Sequence, residues 1–89
     1  MPPGSLKVAS VWPNPSQGTL TVGYEAPAGE VHFVVFDMLG RQVASRTFQR
    51  AAPGKDQIIL DLGSLAAGAY VLRLEIDGVR ASRQFVLAK

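Results

Sequence analysis

Apolar residues along the chain fall in short runs where they alternate with polar ones, and glycines and prolines break the runs at close intervals. A period of two marks a half-buried strand, and no stretch sustains the 3.6-residue period of an amphipathic helix. Seven strands are predicted, at residues 6–11, 19–24, 31–36, 41–48, 57–62, 69–76 and 79–87. In the second, Leu20, Val22 and Tyr24 alternate with Thr19, Thr21 and Gly23. The third, Val-His-Phe-Val-Val-Phe, is apolar at nearly every position, which predicts a central strand covered on both faces. The fourth carries Arg41, Gln42, Ser45, Arg46 and Thr47, a composition suited to a sheet edge. The sixth sets Tyr70, Leu72, Leu74 and Ile76 against Arg73 and Glu75.

The breaks have turn chemistry. Pro13-Asn14-Pro15 ends the first strand, residues 26–29 form a loop, and residues 49–55 form the longest polar loop. Asp37-Met38-Leu39-Gly40 predicts a tight turn in which Asp37 bonds to backbone amides and Gly40 takes positive φ. Asp77-Gly78 predicts a two-residue hairpin. Short strands with turn signals every ~8–12 residues predict an all-β, immunoglobulin-like antiparallel β-sandwich of about seven strands. The expected core is Val8, Leu20, Val22, Phe33, Val35, Val43, Ile58, Leu60, Leu65, Tyr70, Leu72, Leu74, Phe85 and Leu87.

Composition narrows the function. The 89 residues suffice for one domain, and 47% hydrophobic against 18% charged suits a folded module. Without cysteine there is neither a disulfide framework nor a thiolate metal site. One histidine, His32, rules out a site needing two imidazoles, and its apolar strand predicts a packed or edge role. The net charge is +2, and the nine basic residues are scattered with no run of three, so no nucleic-acid stripe is expected. No apolar stretch approaches the ~20 residues of a membrane helix. Residues 1–5 (MPPGS) lack a signal-peptide pattern and are expected to be a linker remnant or cloning scar, leaving residues 6–89 as the domain. Asp56 and Asp61, five apart on one strand, face opposite ways and make no calcium loop. No catalytic residue, metal ligand or cofactor is assigned.

Three segments and the chain's end carry a resemblance: Trp12-Pro13-Asn14-Pro15-Ser16-Gln17-Gly18, then Phe36-Asp37-Met38-Leu39-Gly40-Arg41, then Leu65-Ala66-Ala67-Gly68-Ala69-Tyr70, and finally Phe85-Val86-Leu87-Ala88-Lys89. In order and spacing they resemble the type A C-terminal sorting domain of the bacterial type IX secretion system. That family reads aromatic-Pro-Asn-Pro, Asp-x-x-Gly-Arg and Leu-x-x-Gly-x-Tyr, and closes on a strand like Phe-Val-x-x-Lys. Trp12 stands where Tyr or Phe is more usual, and the Ala- and Arg-rich loops depart from the family's Lys- and Asn-rich average.

The resemblance implies a non-catalytic signal on an upstream cargo, an enzyme or adhesin in the same chain. Its implied partners are the outer-membrane type IX translocon and a sortase-like cysteine peptidase that joins the cargo to an anionic lipopolysaccharide. The implied route is through the periplasm to the cell surface or medium.

Within that frame Trp12, Pro13, Asn14 and Pro15 are expected to form a rigid corner at one end of the sandwich. Asp37, Gly40 and Arg41 are expected to form a reverse turn, and Leu65, Gly68 and Tyr70 a tight loop with a buried tyrosine whose hydroxyl meets backbone. The last strand is expected to be an edge open to a receptor, with Arg80, Arg83, Gln84, Phe85, Val86 and Lys89 as its recognition residues. Alternatives are a carbohydrate-binding or adhesive module, for which Phe36 and Phe48 are the aromatics most open to exposure, or a structural spacer similar to those of flagellar hook-capping proteins. Trp12 alone, with no aromatic neighbour, makes a poor sugar platform.

Overall fold

A computed structural model describes residues 6–12 and 18–88. Expectations for residues 1–5, for Pro13, Asn14 and Pro15, and for Lys89 fall outside the described residues. Seven strands are described: β1 (Lys7–Trp12), β2 (Thr19–Ala26), β3 (Gly29–Asp37), β4 (Gln42–Arg50), β5 (Gly54–Asp61), β6 (Gly68–Ile76) and β7 (Val79–Leu87). They form two antiparallel sheets, β1-β2-β5 and β4-β3-β6-β7, the layered architecture of an immunoglobulin-like sandwich.

Alternation builds the core. Leu20, Val22 and Tyr24 of β2 meet Val31, Phe33 and Val35 of β3, and Leu72, Leu74, Ile76, Phe85 and Leu87 of β6 and β7 complete the layer. Tyr24 meets Phe33 edge-on at 5.0 Å between centroids, and Phe33 meets Phe48 the same way at 5.7 Å.

Pairing extends the strands beyond their sequence limits. Ala26 pairs with Gly54 and Gly29 with Arg50, so the two loops shrink to residues 27–28 and 51–53. Tyr24, Ala26, Val31 and Ile76 join the buried core beyond the expected set. Four expected core residues are only half-buried: Val8, Val43, Ile58 and Leu65. Val8 lies on an edge strand where the β1–β2 register shifts, and Val43 is the extra residue where Val35 pairs with Ala44 but Phe36 with Gln42. Ile58 is on the edge strand β5, and Leu65 is in the β5–β6 connection.

The third strand is central, but only its inward face is closed. His32, Val34 and Phe36 are half-buried on the outer face, where the Arg73 guanidinium lies 4.6 Å from the Phe36 ring centre. Both β4 and β7 are edges. The flanks differ: β1 runs close beside β7, whereas β4 and β5 border a cavity of about 110 Å3 floored by Phe33, Val35, Leu60 and Leu62.

Candidate functional site

The Asp37 turn closes as its sequence predicts. The Gly40 N–H donates to the Asp37 carbonyl at 3.0 Å, and the Asp37 N–H donates to the Arg41 carbonyl at 2.9 Å. Gly40 has φ of 83°, a region that costs an L side chain strain. The Asp37 carboxylate accepts from the Leu39 N–H at 2.9 Å, the Arg41 N–H at 3.0 Å and Arg41 Nε at 2.8 Å. The Arg41 backbone N–H foremost, with the Arg41 guanidinium and the Leu39 N–H, holds the Asp37 carboxyl below the ordinary carboxylate range, against a smaller upward push from burial. All of this carboxylate's chemistry is spent inside the turn.

The second loop is a tyrosine corner. Tyr70 is buried near the start of β6, and its hydroxyl donates to the Ala66 carbonyl at 2.6 Å. Leu65 enters the loop by donating its N–H to the Leu62 carbonyl at 3.0 Å, and Gly68 opens β6 at φ of 151°. β6 stands where the corner-bearing strand stands in immunoglobulin-like sandwiches.

These segments and the last strand meet. Asp37 pairs with Tyr70 across the β3–β6 ladder, and Tyr70 pairs with Phe85 across β6–β7. The rings of Tyr70 and Phe85 stack at 5.8 Å with an interplanar angle of 23°. One row thus joins the Asp-x-x-Gly-Arg turn, the Gly-x-Tyr loop and the closing strand.

Trp12 is placed elsewhere. It lies on the outer face of the three-stranded sheet, not over the end of the sandwich, with its benzo ring against Gly23. A sheet-face glycine gives the indole a flat seat that a corner would not.

The last strand splits the residues assigned to it. Arg80, Gln84 and Val86 take the outward register with Glu75, Val71 and Ala69, and Arg80 Nε bonds Glu75 Oε2 at 2.5 Å. Arg83 and Phe85 take the inward register opposite Leu72 and Tyr70. Phe85 is fully buried, while Arg83 stays exposed at the edge. Arg80 and Arg83 therefore do not share a face.

The remaining polar residues have structural partners. His32 lies on the outer face of β3 with Nε2 donating to Glu30 at 2.9 Å and Nδ1 3.2 Å from the Thr47 hydroxyl. Asp61 accepts from the Gly63 N–H at 3.0 Å. Phe48 faces inward and Phe36 lies under Arg73, so neither is a free aromatic platform. Among the described residues no group of three or more His, Asp or Glu side chains could hold a metal ion. No helix among the described residues is long and apolar enough to cross a membrane.

Two features carried little sequence signal. Arg50, an apparent loop cation, is 10% exposed and reaches three partners on the opposite sheet. An outer hollow brings Lys55, Asp56 and Gln57 beside Trp12, and only a glycine inside an alternating strand hinted at it.

An immunoglobulin-like sandwich with a tyrosine corner, a carboxylate-closed turn and a buried closing strand defines a small β-module whose distinctive residues are structural. A comparison with protein families gives that module its place: residues 10–88 match the secretion system C-terminal sorting domain. The chain belongs to that family, the C-terminal sorting signals of type IX secretion. A comparison with curated proteins finds no match. Membership makes the domain a sorting signal that is part of a cargo chain, engages type IX secretion machinery and implies export to the cell surface or medium. The family is non-catalytic.

Proposed function

We propose that this chain is the export and attachment tag of an upstream enzyme or adhesin. It folds in the periplasm, is recognised by the outer-membrane translocon, and is then cut by a sortase-like peptidase that transfers the cargo to an anionic lipopolysaccharide. One observation carries the reading: the turn, the corner and the closing strand meet in the single row Asp37–Tyr70–Phe85. A signal that must be read after folding needs its motifs built into one rigid locus, and this row supplies it.

The recognition surface is the outward side of that locus. Gln84 and Val86 project from β7 beside the row, Arg80 projects from the strand's other end, where it pairs with Glu75, and Arg41 is 71% exposed at the turn. Phe85 acts by holding β7 in place, Arg83 lies on the strand's rim, and Lys89 follows Leu87 by two residues in the sequence. The basic side chains favour an acidic receptor surface, and strand-edge contact through β7 adds directional hydrogen bonds.

The test is a transplant. Residues 1–89 are fused behind a signal-peptide-bearing fluorescent reporter and expressed in a strain with a working type IX system and in its translocon-null sibling. The reporter is expected outside the cell only where the translocon works. Equal periplasmic retention in both strains would refute the assignment. Surface reporter that resists washing and migrates as a lipopolysaccharide conjugate would support attachment, whereas release only into the medium would overturn it.

A further inference from the structure

The outer face of β1-β2-β5 carries a hollow that the export role leaves unused. Gly23 lies mid-strand, paired with Ser10 on one side and Gln57 on the other, so no side chain fills the centre of that row. The Trp12 indole leans into the gap. A Cβ on Gly23 would come within 3.2 Å of its Cζ3 and 3.0 Å of Ser10 Oγ. Beside the indole an open depression of about 440 Å3 extends to Lys55, Asp56 and Gln57. That volume is within the ~300–1,000 Å3 range of small-molecule sites.

The chemistry of the walls selects the ligand class. Trp12 is 39% exposed and offers a broad apolar ring. Around it stand a hydroxyl, an ammonium and an amide, from Ser10, Lys55 and Gln57, while the Asp56 carboxylate takes the inward register and accepts from Arg50. The charge of Lys55 is offset by Glu25, which stands opposite it across the ladder. An anion finds no net attraction there, and the scattered basic residues give no path for a phosphate backbone. A ligand with an apolar C–H face and several uncharged hydroxyls fits both halves of the site.

We propose that this hollow is a saccharide subsite for a neutral hexopyranose unit. The sugar's C–H face lies on the Trp12 indole, and its hydroxyls bond to Gln57, Lys55 and Ser10. The aromatic neighbour expected of a sugar site is replaced by a ring of polar donors and acceptors. The subsite is on the opposite sheet from the row that carries the export reading and stands independently of it.

Trp12 is the chain's single tryptophan, so its fluorescence reports the site directly. The purified domain is titrated with methyl glucosides, mannosides and galactosides and with cello-, xylo- and malto-oligosaccharides. A saturable emission change with at least one of these is expected. Gln57→Ala and Lys55→Ala, both at exposed positions, should each weaken it about fivefold or more through lost hydrogen bonds. Calorimetry on Trp12→Ala, with thermal melting to confirm folding, should show no binding heat. No saturable change with any of these sugars, or binding unaltered in both Gln57→Ala and Lys55→Ala, overturns the proposal. The two polar variants decide the matter if Trp12→Ala does not fold.

Discussion

The Arg50 guanidinium crosses from β4 to the other sheet and donates through Nη1 to the Tyr24 hydroxyl at 3.2 Å. The same nitrogen reaches Asp56 Oδ2 at 3.2 Å, Nη2 reaches the Gly54 carbonyl at 3.2 Å, and the guanidinium carbon lies 5.3 Å from the Tyr24 ring centre. Nε has no partner among the described residues, so part of the group's desolvation cost is uncompensated. The net effect is still a clamp between layers, because three charge-assisted bonds replace water on the other nitrogens. Arg50→Met keeps most of the stem and should cost about 1–3 kcal/mol in urea unfolding. A change within ~0.5 kcal/mol, the ordinary scatter of surface substitutions, would mean that the clamp contributes nothing.

The tyrosine corner gives a smaller, sharper test. Tyr70→Phe removes only the hydroxyl and leaves the Ala66 carbonyl without its 2.6 Å partner. Stability should fall by about 1–2 kcal/mol while the ring stack on Phe85 persists. Reporter export at low growth temperature should stay near the parental level, because the hydroxyl is spent inside the loop. Loss of export with unchanged melting would instead make the hydroxyl part of the recognition surface.

Asp37 predicts the acid behaviour. Its folded-state pKa is lowered, chiefly by the Arg41 backbone N–H, so the carboxylate's contribution is fully present above the unfolded value of ~3.9. That contribution is lost as pH falls through the lower folded value. Asp37→Asn should destabilise the domain at neutral pH and flatten the fall in stability below pH ~4 relative to the parent. Parallel pH profiles for the two proteins in thermal melts would contradict the turn's electrostatic role.

How far these features were legible depends on whether they are local. The Asp37-Gly40 turn and the Asp77-Gly78 hairpin are written in adjacent residues, and Asp77 indeed takes φ of 48° and Gly78 80°. Tyr70, Phe85 and Leu87 follow from alternation. Arg50, the seating of Trp12 on Gly23 and the division of β7 into two faces with Arg80 and Arg83 apart depend on pairing between distant segments. No local pattern encodes them. Val43 failed for a related reason: alternation assumes a regular ladder, and a bulge breaks it.

The two faces of β7 allow folding to be tested apart from the proposed recognition. Phe85→Ala removes a fully buried ring and should cost about 3–5 kcal/mol, lowering export by unfolding the domain. Removing residues 84–89 takes away Phe85 and Leu87 together, so a truncation confounds signal with core. Val86→Glu alters a side chain 39% exposed on the outward face and should shift stability by no more than ~0.5 kcal/mol. If the translocon reads that face, the Val86→Glu reporter stays periplasmic while its melting matches the parent. Undiminished export from Val86→Glu, Arg80→Ala and Gln84→Ala together would locate recognition elsewhere.

Both edges of the four-stranded sheet carry an arginine in the inward register: Arg46 on β4 opposite Phe33, and Arg83 on β7 opposite Leu72. Each charge stands at the end of a row of buried residues, where an apolar side chain would extend the core to an unpaired edge. Inward-pointing charge on an edge strand is a device against edge-to-edge pairing. Arg46 also has its guanidinium 5.4 Å from the Phe48 ring centre, which keeps it ordered at the cavity rim. In Arg46→Val/Arg83→Val the lost cation–ring contact of ~0.5 kcal/mol should be roughly offset by β-propensity and added apolar burial. Melting at low concentration should therefore stay near the parent. Light scattering should nonetheless show concentration-dependent association that the parent lacks, since the bare edges can then pair between copies. A double variant that stays monomeric at every concentration at which the parent is monomeric would show that the arginines do not guard the edges.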